Sequence, residues 1–289
     1  MYSYSTMQWV LFFYVYCFLG WIWESGYVSA RERKWTNRGF MHGPFLPIYG
    51  SGAIMILLAT IPVKDNLLLI FFMGMIAATL LEYFTGAAME RLFHVRYWDY
   101  SNQFCNLNGH ICLKCSLAWG GFSILMVRFI HVPVERCILW IPDTLEEIIA
   151  FVLTLVFVAD FALSFREAMD FRNMLESLTE NNEEIRRLVK RMEVISAFAE
   201  VDIEEFRENI TTRLEESKER AIAAKQEAVQ RFTEAKENAG EKKEMLRQKL
   251  ERMRSSREYH RANSIMRRNS IVTTEKYREA LEQLRERRK

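Results

Sequence analysis

Long apolar runs fill the first part of the chain, and a charged helical repeat fills the second part. Five of these runs approach the roughly 20 residues that an α-helix needs to cross a hydrocarbon core about 30 Å thick. Short, more polar segments separate them. The pattern therefore predicts a polytopic membrane helix bundle of about five spans, at residues 7–28, 46–63, 67–89, 113–132 and 145–165.

A different periodicity begins beyond the fifth run. From Phe171 to Ala199 a seam of mostly apolar residues recurs in alternating steps of three and four, which is typical of the a and d positions of a coiled coil. A single Asn at position 181 can select the register. The seam can pair between two chains, fold back within one chain, or bind a partner protein. Its positions are Phe171, Met174, Leu178, Asn181, Ile185, Leu188, Met192, Ile195 and Ala199.

The distribution of charge sharpens this division. Residues 1–166 contain 11 Lys or Arg and 11 Asp or Glu, whereas residues 167–289 contain 28 and 26. The first part is too apolar for a water-soluble fold, and the second is too charged to form a core of its own. We therefore expect an all-α protein with a transmembrane domain at 1–166 and a charged cytoplasmic helical and coiled-coil tail at 167–289.

Two classes of protein are excluded by the same numbers. A soluble globular enzyme does not fit either part of the chain. The formal net charge of +2 is spread over both parts, so no basic domain indicates a nucleic-acid partner. The partner that the composition does indicate is the lipid bilayer.

Basic residues in the short loops predict the orientation of the spans. The loops after the first and third runs together hold seven Lys or Arg, and the other two loops hold only Lys64 and Arg136. Short loops rich in Lys and Arg normally stay in the cytoplasm. We therefore expect these two basic loops and the tail to be cytoplasmic, and the N-terminus to lie outside the cell membrane.

Three glutamates, Glu24, Glu82 and Glu90, lie inside or at the ends of the apolar runs. A carboxylate in the middle of a span opposes insertion by roughly 2.5–3.5 kcal/mol, so it normally faces a bundle interior and has a partner. Glu82 is about midway along the third run and is the strongest site candidate. Glu24 and Glu90 can equally lie at the headgroup level, where they would only cap or snorkel. We expect Glu82 either to be protonated or to meet a donor from one of the two basic loops, for which Arg38, His42 and Arg96 are the candidates.

The two basic loops are unusual for simple linkers. Residues 37–52 contain four glycines and two prolines among aromatic and aliphatic residues, which suits a structured loop whose backbone N–H groups approach an anionic group. In the other basic loop, Asp99 and its aromatic neighbours belong either to the interfacial aromatic belt or to a site that pairs Arg96 and Asp99 with the first loop. The candidate ligand-binding residues are Glu24, Asn37, Arg38, His42, Tyr49, Glu82, Glu90, Arg96, Trp98, Asp99, Tyr100, Asn106 and His110.

Neither a cofactor nor a metal site is expected from the sequence. The chain lacks the Gly-x-x-x-x-Gly-Lys-Ser/Thr motif of a P-loop, so it does not hydrolyse ATP by that mechanism. Its five cysteines are an odd number, and three of them fall in or beside the second basic loop. Cytoplasmic thiols stay reduced, and the spacing lacks the second Cys-x-x-Cys of a typical zinc site.

Several short motifs in a fixed order resemble the bacterial ABC-transporter-permease-like membrane family of CmpB type. The resemblance covers roughly residues 13–119 and implies a membrane location and a bacterial type of source, with no substrate attached. That family has Arg where this chain has His110. The matching residues are Asn37-Arg38-Gly39-Phe40, Gly43-Pro44, Pro47-Ile48-Tyr49-Gly50, Gly52, Glu82, Glu90, Trp98-Asp99-Tyr100-Ser101, Asn106, Gly109 and Ile111-Cys112.

Three functions fit these features. The leading hypothesis is a non-ATPase membrane component of a transporter, with a polar site at Glu82, Glu90 and the basic loops. Because five spans are few for an independent carrier, a homo-oligomer, a partner protein or an ATPase partner is implied. The alternative is a membrane-embedded enzyme for a lipid-linked or amphipathic substrate, with Glu82 or Asp99 as general base. The third is a non-catalytic scaffold or sensor.

Overall fold

The structure is a computed structural model of the 289-residue chain. The chain folds into two compact units: residues 1–173 together with 260–289, and residues 174–259. The residues that the structure describes are 4–210, 230, 233–234, 237–238, 240–245, 248, 252, 264–269 and 272–286.

Helices account for most of the first unit. Among the described residues, four helical segments are long and apolar enough to cross a membrane: Thr6–Glu32, Leu67–Phe93, Leu113–Leu139 and Asp143–Leu188. The second predicted run forms the shorter apolar helix Pro47–Val63. The helices are α1 (Thr6–Glu32), α2 (Pro47–Thr60), α3 (Leu67–Phe93), α4 (Leu113–Leu125), α5 (His131–Leu139), α6 (Asp143–Ile210) and α7 (Arg278–Glu286).

Local sequence explains where α1 and α3 begin and end. Ser5 and Gln8 form a capping box at the start of α1, and the Asn66 side chain accepts hydrogen bonds from the first backbone N–H groups of α3. Arg33 and His94 follow the two helices in the left-handed conformation, with φ angles of 52° and 55°. These left-handed residues stop each helix and turn the chain into a loop.

The third long segment is interrupted by a π-helical turn, Met126–Ile130, between α4 and α5. Pro133 explains the interruption, because its ring clashes with the carbonyl group four residues earlier, that of Phe129, and it has no N–H to donate. A short antiparallel hairpin, β1 (Asn106–Leu107) and β2 (Ile111–Cys112), precedes α4 and is the exception to the all-α prediction among the described residues.

The loops of residues 33–46 and 94–112 lie at one end of the bundle, which we call the loop end. The Phe40 ring lies 5.8 Å from that of Phe93 and 6.0 Å from that of Tyr97. Because α1 and α3 both finish at the loop end, α2 carries the chain to the opposite end in between. The start of α6 is also at that opposite end, where Ser5 Oγ donates to Glu146 Oε1 at 2.9 Å.

Small residues bring α1, α2, α3 and α4 into close contact. A Cβ atom added to Gly50 of α2 would lie 2.4 Å from Cys17 Sγ and 2.7 Å from Phe13 O, both on α1. One added to Gly74 of α3 would lie 2.2 Å from Ser123 Oγ on α4. Helix packing through small residues is the usual arrangement in membranes, where lipid removes the hydrophobic drive for association.

The C-terminal segment, defined as residues 264–269 and 272–286, also packs at the loop end. Thr273 and Arg96 form an antiparallel bridge whose two backbone hydrogen bonds measure 2.7 and 2.9 Å. Thr274 Oγ1 donates to His94 O at 2.7 Å. The apolar side chains of the segment are buried: Ile265, Met266, Val272, Tyr277, Ala280, Leu281 and Leu284.

In the second unit, α6 continues without interruption to Ile210. The seam positions Met174, Leu178, Asn181 and Leu188 are buried. The side chains of the remaining positions of the seam in this unit, Ile185, Met192, Ile195 and Ala199, lie outside the described residues. The coiled coil therefore remains a prediction.

Candidate functional site

Glu82 is a buried glutamate midway along α3, with 6 % of its surface exposed. Its Oε1 accepts a hydrogen bond from Tyr100 Oη at 3.2 Å, and its Oε2 accepts one from Trp119 Nε1 at 2.9 Å. Among the described residues, no cationic side chain forms an ion pair with it. A donor from a basic loop was predicted and is present in Tyr100, but the candidates named for it, Arg38, His42 and Arg96, were wrong.

Tyr100, a loop residue, can act as this donor because its phenol stays protonated. Burial, followed by the charge of the nearby Glu82, raises the pKa of Tyr100 above its ordinary value. Trp119 reaches Glu82 from α4, the helix that packs most extensively on α3. Both donors are neutral, so a charge on Glu82 is hydrogen-bonded but not neutralised.

A second polar group joins α1, α2 and the first basic loop. Tyr49 Oη donates to Glu24 Oε2 at 2.6 Å, and Arg38 Nε lies 3.5 Å from Glu24 Oε1. Arg38 also donates to the Arg268 carbonyl of the C-terminal segment at 3.2 Å. Glu24 is thus a hydrogen-bonded partner of α2 and of the loop, rather than a helix cap.

The glycine-rich loop does approach an anionic group through its backbone, and that group belongs to the same chain. His42 N and Gly43 N donate to the Asp160 carboxylate on α6 at 3.1 and 2.8 Å. A Cβ atom at Gly43 would lie 2.9 Å from Asp160 Oδ2, so only glycine fits without a shift. The loop is therefore fixed to α6, and these N–H groups are already occupied.

His42 also connects two further groups of α6. Its Nδ1 lies 2.8 Å from Ser164 Oγ, and its Nε2 lies 2.9 Å from Glu167 Oε2. Arg268 of the C-terminal segment donates to the same Glu167 carboxylate. A Ser-His-Glu chain of this kind can activate a serine nucleophile, but Ser164 is 2 % exposed and lines neither of the cavities described below. The contacts of His42 with Ser164 and Glu167 therefore serve to fix the loop to α6.

The second basic loop closes on itself around Arg96. Arg96 Nε donates to Glu90 Oε1 at 2.7 Å, and its Nη1 lies 3.7 Å from Asp99 Oδ1 and 3.5 Å from Glu275 Oε1. His110 Nε2 lies 3.3 Å from Glu90 Oε2. Pairing of Arg96 and Asp99 with the first basic loop was one of the two alternatives drawn from the sequence. They pair instead with each other, with α3 and with the C-terminal segment.

The hydrogen bonds and ion pairs in this loop shift the pKa values of Asp99 and Arg96. Burial opposes ionisation of Asp99, but hydrogen bonds from Ser101 and the charge of Arg96 outweigh it, so the pKa of Asp99 lies below its ordinary value. Burial likewise opposes the charge on Arg96, yet Glu90, Glu275 and Asp99 raise its pKa. Both groups are therefore charged at neutral pH, and their attraction stabilises the loop.

Asn37 and Asn106 hold loop backbones rather than facing a cavity. Asn37 accepts from Trp21 Nε1 and donates to His42 O, each at 2.6 Å. Asn106 Nδ2 donates to Ser101 O at 3.0 Å, and its Oδ1 accepts from Gly109 N at 3.2 Å. These hydrogen bonds give both asparagines a structural role within the loops.

A cavity of about 370 Å³ lies between the basic loops and the helices at the loop end. Six of the predicted candidates line it: Glu24, Arg38, Tyr49, Glu82, Trp98 and Tyr100. Asn269 of the C-terminal segment also lines it, and the Asn269 side chain donates to Gly39 O at 3.2 Å. We call this space the loop-end cavity.

A second cavity of about 560 Å³ lies among α1, α2, α3 and α4, with the π-helical turn in its wall. Its lining is mainly apolar, and several of its residues, among them Trp23 and Leu125, are exposed. We call it the span cavity. Both cavities are lined by the same four residues, Tyr49, Glu82, Tyr100 and Trp119, which therefore form a shared wall.

Sequence reasoning missed two contributors to this site. Trp119 was treated as part of an apolar span, although a tryptophan indole is a donor that needs an acceptor when buried. Asn269 lies about 230 positions from its partner Gly39, so no local pattern indicates the contact. Among the described residues, no group of three or more His, Cys, Asp or Glu is placed to hold a metal ion.

Comparison with known families gives one match. The family described as "Putative ABC-transporter type IV" matches residues 11–165, which is more than half of the chain. No curated protein and no solved structure matches the sequence. The matched region holds most of α1, all of α2 to α5, the first part of α6 and both basic loops. The match shows that this chain, with its long apolar helices, belongs to that ABC-transporter family of membrane proteins.

Proposed function

We propose that the protein is a membrane component of an ABC-type transporter and that it binds its ligand at Glu82. The chain carries no P-loop motif, so the ATPase of such a transporter would be a partner protein. The observation that carries the proposal is the position of Glu82 in the wall shared by the two cavities. A ligand moving from one cavity to the other would pass this carboxylate.

The cost of Glu82 supports a functional role. A carboxylate midway along a span opposes insertion by roughly 2.5–3.5 kcal/mol, and its two hydrogen bonds come from neutral donors. Structural glue between helices needs no ionisable group, because serine, threonine or glutamine makes similar hydrogen bonds. A carboxylate that lines a cavity can bind a ligand by its charge or by accepting hydrogen bonds.

Glu82→Gln is expected to remove a ligand that co-purifies with the protein. Glutamine keeps the size of the side chain and lowers the insertion cost, so expression should remain nearly intact. Glu146→Gln is the matched control, because Glu146 is equally buried, accepts from Ser5 and Gln8, and lines neither cavity. The measurement is untargeted mass spectrometry of lipids and metabolites bound to the purified full chain.

The result decides between the functions. Loss of one bound species in Glu82→Gln but not in Glu146→Gln would identify both the ligand and its site. An identical set of bound species in the wild-type protein and both variants would contradict the proposal and favour a non-catalytic scaffold.

We further propose that all five apolar segments cross the membrane, with the loop end in the cytoplasm. The helix Pro47–Val63 is about 25 Å long at 1.5 Å per residue, slightly less than a typical hydrocarbon core. Support comes from its neighbours: α1 and α3 both finish at the loop end, so the chain between them returns to the opposite end through this helix. Seven of nine loop Lys or Arg belong to the basic loops at that end.

Reporter fusions test this topology. A C-terminal fusion is expected to be active as a cytoplasmic reporter, and an N-terminal fusion as an exterior one, because an odd number of crossings separates the two termini. Reporters active on the same side of the membrane would show that Pro47–Val63 does not cross.

For the tail, we propose that the seam folds back against the same chain. Leu178 is 2 % exposed and Asn181 is 4 % exposed in a single chain, whereas a seam reserved for a second copy would be open. Leu178→Cys is therefore expected to form no cross-linked dimer in membranes. A dimer band formed by this variant, and absent from a control with cysteine at the exposed Glu183, would establish pairing between chains instead.

A further inference from the structure

The wall between the two cavities has an unbalanced charge. Among the residues that the structure describes, three charged side chains line the loop-end cavity: Glu24, Arg38 and Glu82. Arg38 and Glu24 are paired at 3.5 Å, so their charges offset each other. Glu82 has no ion-pair partner among the described residues, and its carboxylate is also part of the lining of the span cavity. A positive charge would therefore stabilise the ionised form of Glu82, and that form would repel a negative one.

Aromatic rings line the loop-end cavity beside Glu82. The negative face of an aromatic ring attracts an organic cation, with tryptophan the strongest, and the attraction grows when water is excluded. Trp119 donates its indole N–H to Glu82 at 2.9 Å, which places that ring beside the carboxylate. Nine of the described residues that line the loop-end cavity are aromatic: Phe40, Tyr49, Phe93, Tyr97, Trp98, Tyr100, Trp119, Phe161 and Phe165.

The span cavity adds an apolar compartment on the other side of Glu82. Its volume of about 560 Å³ is within the range of roughly 300–1,000 Å³ usual for small-molecule sites. Leu19, Ile56, Phe122 and Met126 are among its lining residues, and of the described residues that line it only Glu82 is charged. Such a compartment favours hydrocarbon or aromatic groups, because burying them gains about 25 cal/mol per Å².

We infer that the ligand is an amphipathic organic cation. Its positive centre lies beside Glu82, between the rings of Trp119 and Tyr100, and its apolar part occupies the span cavity. The inference rests on the proposed function, since it names the class of ligand for the same site. Lipids with an anionic headgroup are disfavoured by the same geometry, because Arg38 is already paired and Glu82 repels them.

Two probe ions of the same size and shape but opposite charge test this inference. Tetraphenylphosphonium and tetraphenylborate are offered to the full-length protein in phosphatidylcholine nanodiscs, and binding is measured by equilibrium dialysis with empty nanodiscs subtracted. The wild-type protein is expected to bind the phosphonium at least about tenfold more tightly than the borate. Glu82→Gln should remove this preference, Glu82→Asp should retain it, and Glu146→Gln should match the wild-type protein.

Each alternative outcome is decisive. Equal or tighter binding of the borate by the wild-type protein would overturn the inference, even if Glu82→Gln fails to assemble. A phosphonium preference that persists in Glu82→Gln would also overturn it, because the cation would then bind elsewhere. If the co-purifying ligand still depends on Glu82 while the phosphonium does not, the ligand class is wrong and the proposed function stands. If neither depends on Glu82, both fail.

Discussion

Replacing Thr273 by proline is expected to detach the C-terminal segment from the loop end. Proline has no N–H, so the 2.9 Å hydrogen bond from Thr273 N to Arg96 O is lost, and its fixed φ distorts the bridge. Residues that are buried when the segment is docked, such as Val272 and Leu281, would then be exposed to water. Each fully buried aliphatic side chain contributes roughly 1.5–3 kcal/mol, so the total loss would be several kcal/mol.

Limited trypsin digestion measures this detachment. Arg268 is 9 % exposed when docked, so cleavage after it is expected to be slow in the wild-type protein and fast in Thr273→Pro. Thr273→Val is the matched control: the Thr273 hydroxyl is buried and has no hydrogen-bond partner among the described residues, so removing it should leave stability unchanged or improved. Equal cleavage rates in Thr273→Pro and Thr273→Val would contradict the docking of this segment.

Gly50→Ala is expected to give the second large effect, at the contact between α1 and α2. The added Cβ would meet Cys17 Sγ at 2.4 Å and the backbone oxygen of Phe13 at 2.7 Å, and backbone cannot move aside cheaply. Overpacking of this kind costs about 1–3 kcal/mol or more, which exceeds the gain of about 1 kcal/mol in helix propensity. The separation of α1 from α2 would also shift the neighbouring Tyr49 away from Glu24.

Thermal unfolding of the purified variants tests this contact against a control on the same helix. At Gly52 an added Cβ would lie 3.8 Å from Leu81 Cδ2, an ordinary contact. Gly52→Ala should therefore unfold at or slightly above the wild-type temperature, and Gly50→Ala well below it. The reverse order, or equal temperatures, would show that the two helices do not pack through Gly50.

The helices were predictable because their signals are local. Runs of apolar residues, Ser5 and Asn66 as helix caps, and the position of Glu82 in the third run can all be read within a few turns of helix. The cost of a mid-span carboxylate also predicted correctly that Glu82 would be buried and would have hydrogen-bond donors.

The identity of those donors was not predictable, because it depends on the rotation of α4 against α3. Trp119 reaches Glu82 only because Ser123, one turn further on, fits against Gly74. Arg38 and Arg96 instead find nearer carboxylates in Glu24 and Glu90, at 3.5 and 2.7 Å. Each arginine pairs with a glutamate that is close to it in the chain, so neither forms an ion pair with Glu82.

The docking of the C-terminal segment had no sequence signal either. The segment follows a highly charged stretch, and its buried residues do not continue the coiled-coil seam. Its contacts with Gly39 and Arg96 join residues about 180 to 230 positions apart, which no local periodicity encodes. Those contacts place Asn269 in the wall of the loop-end cavity.

The most direct test of a ligand site at Glu82 is a cryo-electron microscopy map of the full-length protein in nanodiscs with its co-purifying ligand retained. The account predicts density that occupies the loop-end cavity or the span cavity and lies within hydrogen-bond distance of the Glu82 carboxylate. A map in which Glu82 contacts only protein side chains, with the ligand bound elsewhere or both cavities closed, would contradict it.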